Sequence, residues 1–92
     1  GSRVQESRSD DFLVIAPNPS SSDVTIGIPS TVAATGGTVV ITDVLGRILY
    51  QAHTVPGQLY HTVDVSHFPI GAYRCRFEGS GFTLNASLRI IR

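Results

Sequence analysis

The amino-acid sequence predicts an all-β fold in which about seven short antiparallel strands pack as a sandwich of two sheets. Three observations support this prediction. Polar and apolar residues alternate at a period of two in several segments, as expected for strands with one buried face. Nine glycines and five prolines supply turn signals at short intervals along the 92 residues. The apolar residues, 41% of the chain, are mainly branched and aromatic types that pack well on a pleated surface.

Each strand is placed where this alternation begins and ends. The alternation is clearest from Ala72 to Glu78, where Tyr73, Cys75 and Phe77 share one face and are expected in the core. We expect strands at Phe12–Ala16, Val24–Pro29, Thr38–Thr42, Arg47–Gln51, Leu59–Val65, Ala72–Glu78 and Phe82–Ile91, with a loop at 30–37 and a tight turn at 43–46. Strands of this number and spacing favour an immunoglobulin-like antiparallel β-sandwich, with a small open barrel as the alternative.

Residues 1–11 differ in composition from the rest of the chain. They are polar and aperiodic, and Gly1-Ser2 resembles the remnant of a cleaved expression tag, so we expect a tag scar and flexible linker there. Residues 12–92 are expected to form one domain, because a chain of this length supports a single modest core. This division indicates a fragment of a longer protein.

The charge of the chain is balanced overall but uneven along its length. Seven basic residues, all arginine, offset seven acidic residues, and the net charge is zero. This balance argues against a protein that binds nucleic acid or a membrane surface through bulk charge. Five of the arginines lie after residue 46 and five of the acidic residues lie before residue 47, so the second half of the chain is positive.

The residues that most often carry catalysis or metal binding do not form a recognisable site. His53, His61 and His67 lie in separate predicted elements without the spacing of a zinc site, so we expect no metal and no cofactor. Asp64, Ser66 and His67 are the residue types of a hydrolase triad, but triads are assembled from distant segments. We expect Asp64 and Ser66 to cap backbone groups at a corner instead, and we expect no enzyme activity.

Four landmarks in a fixed order carry a family resemblance. They are the turn Pro17-Asn18-Pro19, the strand and turn at 40–47, the strand, corner and strand at 63–73, and the basic final strand at 88–92. Together they resemble the C-terminal sorting domain of the bacterial type IX (Por) secretion system, over nearly the whole chain.

Two details depart from the pattern of that family. Ala16 stands before the first proline, where the family often has an aromatic residue. Arg89 and Arg92 stand in the final strand, where the family often has lysine, so the positive charge is kept.

The resemblance implies a function. Sorting domains of this family are immunoglobulin-like sandwiches at the C-terminus of varied cargo proteins. The cargo reaches the periplasm by an ordinary signal peptide, and the domain then directs it through the outer membrane to the cell surface or the medium. The implied partners are an outer-membrane shuttle or translocon protein, a sortase-like cysteine protease that usually removes the domain, and the N-terminal cargo domain. No nucleic acid or small-molecule cofactor is implied.

Two groups of residues are candidates for the site. The motif residues are expected to shape turns and corners, and Tyr73 has the spacing of a tyrosine corner, in which the hydroxyl ties back to an upstream backbone group. These motif residues are Pro17, Asn18, Pro19, Asp43, Gly46, Gly71 and Tyr73. The recognition residues would share the outer side of one hairpin and offer guanidiniums to carboxylates. They are Arg74, Arg76, Arg89 and Arg92.

An immunoglobulin-like accessory module for adhesion or carbohydrate binding is the alternative function, because a fold does not determine a function. A carbohydrate module usually presents exposed aromatic residues, and this chain has no tryptophan. If the domain is removed after secretion, the cut is expected near residues 3–11, since proteases act on exposed flexible segments.

Overall fold

Seven antiparallel strands and one short helix form the described part of the chain, which is residues 13–17 and 22–91 of a computed structural model. In chain order the elements are β1 (Val14–Ala16), β2 (Asp23–Gly27), α1 (Ser30–Ala33), β3 (Gly37–Thr42), β4 (Ile48–Thr54), β5 (Tyr60–Asp64), β6 (Gly71–Gly79) and β7 (Phe82–Ile90). The predicted number of strands and their order along the chain are confirmed, with boundaries that shift by at most three residues within the described part of the chain.

The strands form two separate sheets rather than a closed barrel. One sheet has the order β1-β2-β5, and the other has the order β4-β3-β6-β7. Strands β6 and β7 are joined as a long hairpin, in register from Gly71 opposite Ile90 to Gly79 opposite Phe82. The predicted antiparallel sandwich is therefore confirmed, as is the hairpin across Gly79-Ser80-Gly81.

The core lies between the inner faces of the two sheets. Tyr73, Cys75 and Phe77 of β6 are all buried there, as their alternation predicts. They pack with buried residues of the other strands, chiefly Val24, Ile26, Val39, Ile41, Val63, Leu88 and Ile90. Each large aliphatic or aromatic side chain buried in this way contributes roughly 1.5–3 kcal/mol, so apolar burial is the main favourable contribution to the stability of the sandwich.

One predicted loop contains a helical turn. Residues 30–37 were expected to be a loop, but Ser30–Ala33 forms α1. The carbonyl of Pro29 accepts hydrogen bonds from the backbone N–H of Val32 at 3.1 Å and of Ala33 at 2.9 Å. Burial of Ala33 in the core holds the turn in place. Four residues are too few to show a helical period in the sequence.

The two ends of the sandwich differ. The distal end, as we call it, carries the β3–β4 turn at 43–47, the β5–β6 corner at 65–70 and the last residues of β7. The opposite, proximal end carries the start of β1, where Val14 lies opposite Gly27 and Gly27 lies opposite Tyr60. The chain thus enters the sandwich at the proximal end, far from the β3–β4 turn and the β5–β6 corner.

Candidate docking face of the four-stranded sheet

Three of the four predicted recognition arginines lie on the outer face of the four-stranded sheet. Arg74 and Arg76 alternate with the core residues of β6, and Arg89 follows the same rule in β7. The register places Arg89 opposite Ala72 and Ser87 opposite Arg74, so the three side chains belong to neighbouring rows. Arg92 lies outside the described residues.

These arginines line an open depression of about 640 Å³ at the distal end of this face. Besides the three arginines, its walls include Thr42, Ser87 and the first residues of the β3–β4 turn. The hairpin brings together groups that are 15 residues apart in sequence, Arg74 and Arg89, so the structure assembles a surface rather than a linear motif.

The three guanidiniums are not equivalent. Arg76 Nε donates a hydrogen bond of 2.6 Å to Glu78 Oε2, the neighbour two residues further along the same face. Because both side chains are partly exposed, this ion pair adds little stability, but it offsets the charge of Arg76. Arg74 and Arg89 bring two further positive charges to the depression.

Asp43 organises the β3–β4 turn beside this depression. Its Oδ1 accepts hydrogen bonds of 2.9 Å from the backbone N–H of both Leu45 and Arg47, and its Oδ2 accepts one of 2.8 Å from Arg47 Nε. These bonds, first among them the one from the Arg47 N–H, lower the pKa of the Asp43 carboxyl below its usual value. Gly46 follows with φ of +86°, a conformation that side chains with a Cβ rarely adopt.

Tyr73 ties the β5–β6 corner to β6. Its hydroxyl donates a hydrogen bond to the carbonyl oxygen of Pro69, which confirms the predicted tyrosine corner. The ring of Phe68 packs against the Tyr73 ring with centroids 5.3 Å apart. Gly71 starts β6 with φ of +156°. The corner is thereby held in one shape next to the docking face.

The first proline turn is described only in part. The Ala16–Pro17 peptide bond is cis, and Pro17 is exposed directly after β1. Asn18 and Pro19 lie outside the described residues. Pro17 therefore belongs to the edge of the three-stranded sheet and not to the arginine face.

The histidines and the triad-like residues have local partners. His53 Nδ1 lies 3.0 Å from Thr38 Oγ1. The backbone N–H of Ser66 donates to Asp64 Oδ1 at 2.9 Å, which confirms that Asp64 caps a backbone group at the corner, whereas Ser66 Oγ lies 3.3 Å from His67 Nδ1. Hydrogen bonds from the Ser66 hydroxyl and then from its N–H lower the pKa of the Asp64 carboxyl. Within residues 13–17 and 22–91, no three His, Cys, Asp or Glu side chains lie close enough together to hold a metal ion.

The sequence interpretation missed an apolar group at the distal end. The sequence interpretation places Val44 and Leu45 only in a turn, yet both are strongly exposed, as is Ile70 in the corner. The signal was present in the sequence, because turns usually carry polar residues and this one reads Asp43-Val44-Leu45-Gly46.

The fold defines a class of protein, the immunoglobulin-like β-sandwiches. A solved structure of this class is similar to the chain: a DUF3244 family protein from Bacteroides vulgatus ATCC 8482, with a TM-score of 0.67 and 21% sequence identity over 88% of this chain and 86% of that one. At this identity the likeness shows the fold alone. No curated protein matches the chain. No helix in the described residues is long and apolar enough to cross a membrane.

A comparison of the sequence with models of protein families identifies the family. The family model described as "Secretion system C-terminal sorting domain" matches residues 14–91. The chain belongs to this family and is a C-terminal sorting domain of type IX secretion, which confirms the resemblance carried by the four landmarks. It is thus part of a cargo protein that this machinery handles and that is secreted through the outer membrane to the cell surface. Sorting domains of this kind are generally non-catalytic.

Proposed function

We propose that this domain is a non-catalytic sorting signal that is read in the periplasm and guides an N-terminal cargo domain across the outer membrane. The observation that carries this proposal is the family match over residues 14–91. The absence of a recognisable catalytic motif in the sequence agrees with it, because the polar residues of the triad-like group serve the corner.

We further propose that the arginine face is the part of the signal that the machinery reads. Arginine offers planar pairs of N–H donors that suit carboxylates, and charge at the rim of an interface speeds association and selects partners. Arg74, Arg76 and Arg89 share one depression. The partner would be an outer-membrane shuttle or translocon protein with an acidic surface.

A reporter joined to the N-terminus of residues 1–92, expressed in a host with the secretion system, tests the sorting role. We expect the reporter at the cell surface, whereas the reporter without the domain should stay in the periplasm. Equal distribution of the two reporters would contradict the proposed function.

Neutral substitutions test the arginine face separately. Arg74→Gln with Arg89→Gln should trap most of the reporter in the periplasm while the domain stays folded by circular dichroism. The control is Val55→Glu with Ser80→Glu, which changes the net charge by the same two units at exposed positions of the proximal end. Normal delivery of the arginine variant, or equal trapping of the control, would contradict a role for this face.

Processing is the last part of the proposal. A sortase-like protease would cut near residues 3–11, before the sandwich, since a cut within β2 or later would require the core to open. Mass spectrometry of the mature surface protein would give its last residue. A mature protein that ends beyond Val24 would exclude this site.

The alternative, an adhesion or carbohydrate-binding module, has one observation in its favour. Tyr60 is exposed on the outer face of the three-stranded sheet, beside Gly27 and Val14. The Tyr60 ring alone makes a weak stacking platform for a sugar. The family that matches the chain is described as a sorting domain, not as a sugar-binding module. We therefore prefer the sorting role.

A further inference from the structure

Four large aliphatic side chains are exposed around one concavity at the distal end of the sandwich. They are between 43% and 80% exposed: Val44, Leu45, Leu49 and Ile70. Single exposed apolar residues are ordinary, but a contiguous group of this kind marks an interaction surface. We call this group the distal apolar cluster.

The cluster surrounds a groove that opens into the arginine depression. A concavity of about 320 Å³ lies between the β3–β4 turn and the β5–β6 corner, with Val44 and Leu45 on one side and Ile70 on the other. Asp43, Val44, Ala72 and Tyr73 line both this groove and the larger depression. The apolar groove and the arginine face are therefore one continuous surface.

Both walls of the groove are fixed before any partner arrives. The turn is held by the three hydrogen bonds of the Asp43 carboxylate, and the corner is held by the Tyr73 hydroxyl on the Pro69 carbonyl. A surface that is already ordered loses little conformational entropy on binding, so its apolar contacts translate efficiently into affinity.

The charge around the groove selects the kind of partner. Four arginines, Arg47, Arg74, Arg76 and Arg89, line the two concavities. Arg47 is paired with Asp43 and Arg76 with Glu78, so these six residues carry a net charge of +2 (four positive and two negative). The surface therefore complements a segment that is acidic and also carries an apolar side chain for the groove.

The position of the groove makes the cargo domain a less favourable occupant than a separate protein. The chain enters the sandwich at Val14 on the proximal end, and the groove lies at the other end of the strands. A membrane surface also fits less well, because the exposed members of the cluster are all aliphatic and flank a concavity, whereas interfacial anchors protrude and favour aromatic residues.

We propose that the distal apolar cluster and the neighbouring arginines form one docking surface for an acidic protein segment that places an aliphatic or aromatic residue in the groove between Leu45 and Ile70. This inference rests on the proposed sorting role and names the chemistry of the partner. The apolar residue anchors the complex, and the arginines set its register and orientation. Anchors of this kind carry most of the binding energy of an interface.

A pair of matched variants tests the apolar part in the reporter assay. Leu45→Ser with Ile70→Ser removes the groove walls at exposed positions. Val14→Ser with Val55→Ser removes two similarly exposed valines, at the proximal end. We expect the distal variant to lower the surface fraction of the reporter about tenfold, as loss of one anchor would, and the proximal variant to leave it unchanged. Thermal unfolding of the purified domains confirms that both variants are folded.

The outcomes separate this inference from the proposed function. If the unsubstituted domain does not deliver the reporter, the sorting role itself fails. If it delivers the reporter and the distal variant does so equally well, the sorting role stands and the docking groove is wrong. Equal loss in the distal and proximal variants would also overturn the groove, because it would show a general need for surface apolar residues.

A photo-crosslinking residue at position 45 identifies the chemistry of the occupant. With p-benzoylphenylalanine in place of Leu45 in the secreted reporter, irradiation of cells should join it to one peptide that is acidic and carries an apolar residue near the attachment point. The same probe at Val55 should not give that product. A basic or cargo-derived peptide, or a lipid adduct, would overturn the proposal.

Discussion

Asp43 illustrates how one carboxylate can determine the geometry of a binding surface without contacting the partner. It ties the N–H groups of Leu45 and Arg47 and the Arg47 guanidinium to one point, and so fixes where the turn presents its apolar residues. Bonds to the charged form lower the pKa of this carboxyl. The turn is therefore most stable when Asp43 is ionised.

The Asp43→Asn variant should show this dependence on pH. Because the pKa of Asp43 in the folded state is below the usual value of 3.8, the stability from its ionised form is present above that value. It is lost as the pH falls through the lower folded pKa. We expect the wild-type domain to melt at a higher temperature than Asp43→Asn at pH 6, with the difference shrinking below about pH 4. A difference that stays constant from pH 6 to pH 2 would contradict this account.

Tyr73 has a separate role in the neighbouring corner. In Tyr73→Phe the ring stays in the core, but the hydrogen bond to the Pro69 carbonyl is lost. The free energy of unfolding in urea should fall by about 1 kcal/mol. The matched control is Tyr60→Phe, whose ring is exposed and should change the unfolding free energy little. Equal effects of the two substitutions would show that the corner bond adds nothing to stability.

At the scale of the element, β6 contributes to both the core and the docking face. Its alternate residues place Tyr73, Cys75 and Phe77 inward and Arg74 and Arg76 outward. A register shift of one residue would exchange these two faces, so the core packing also secures the position of the arginines.

Cys75 reports on whether β6 opens. Its side chain is fully buried, and desolvation raises the pKa of the thiol to about 12. Since only an exposed thiolate reacts, labelling of the native domain with Ellman's reagent at pH 8 should proceed only through opening of the core. The rate should be at least about a thousandfold below that of the urea-unfolded chain, because opening of a typical core costs about 5 kcal/mol or more. Rapid labelling in native buffer would show that β6 frays locally.

Strands such as β6 could be predicted because a half-buried strand shows its period directly in the sequence. The short helix α1 could not, since it is held by Pro29 and by burial of Ala33 and not by a repeating pattern. The placement of Arg74 with Arg89 was predictable, because a hairpin with a short turn fixes their distance. The groove was not, because it joins the turn at 43–47 to the corner at 65–70, and no local pattern records which loops share an end.

At the scale of the whole molecule, a polar cluster links the two sheets along one side. The Oη atom of Tyr50 in β4 lies 2.7 Å from the Nε2 atom of His61 in β5. Gln58 donates from Nε2 to the Tyr60 carbonyl and to His61 Nδ1, and its Oε1 accepts from the Val55 N–H. These bonds fix the amide orientation, so His61 Nδ1 must accept and Nε2 must carry the proton.

Nuclear magnetic resonance of the ¹⁵N-labelled domain at pH 8 should therefore show His61 as the Nε2–H tautomer. In Tyr50→Phe the bond between the sheets is lost, which should cost about 1 kcal/mol in unfolding free energy. The unfolding free energy of Tyr50→Phe is compared with that of His53→Ala, which removes a hydrogen bond within one sheet. A predominant Nδ1–H tautomer of His61 would contradict the proposed bonding.

The opposite placement of the chain's point of attachment and its docking groove has a mechanical consequence. Val14 lies opposite Gly27, four residues from Asp23 at the other end of β2, so a cargo domain joined before β1 would attach roughly 13 Å along the sheet from its distal end. The sandwich would then act as a rigid spacer. Cargo domains of different size and shape could then share one receptor, because the sandwich and the linker before it would keep them apart from the receptor.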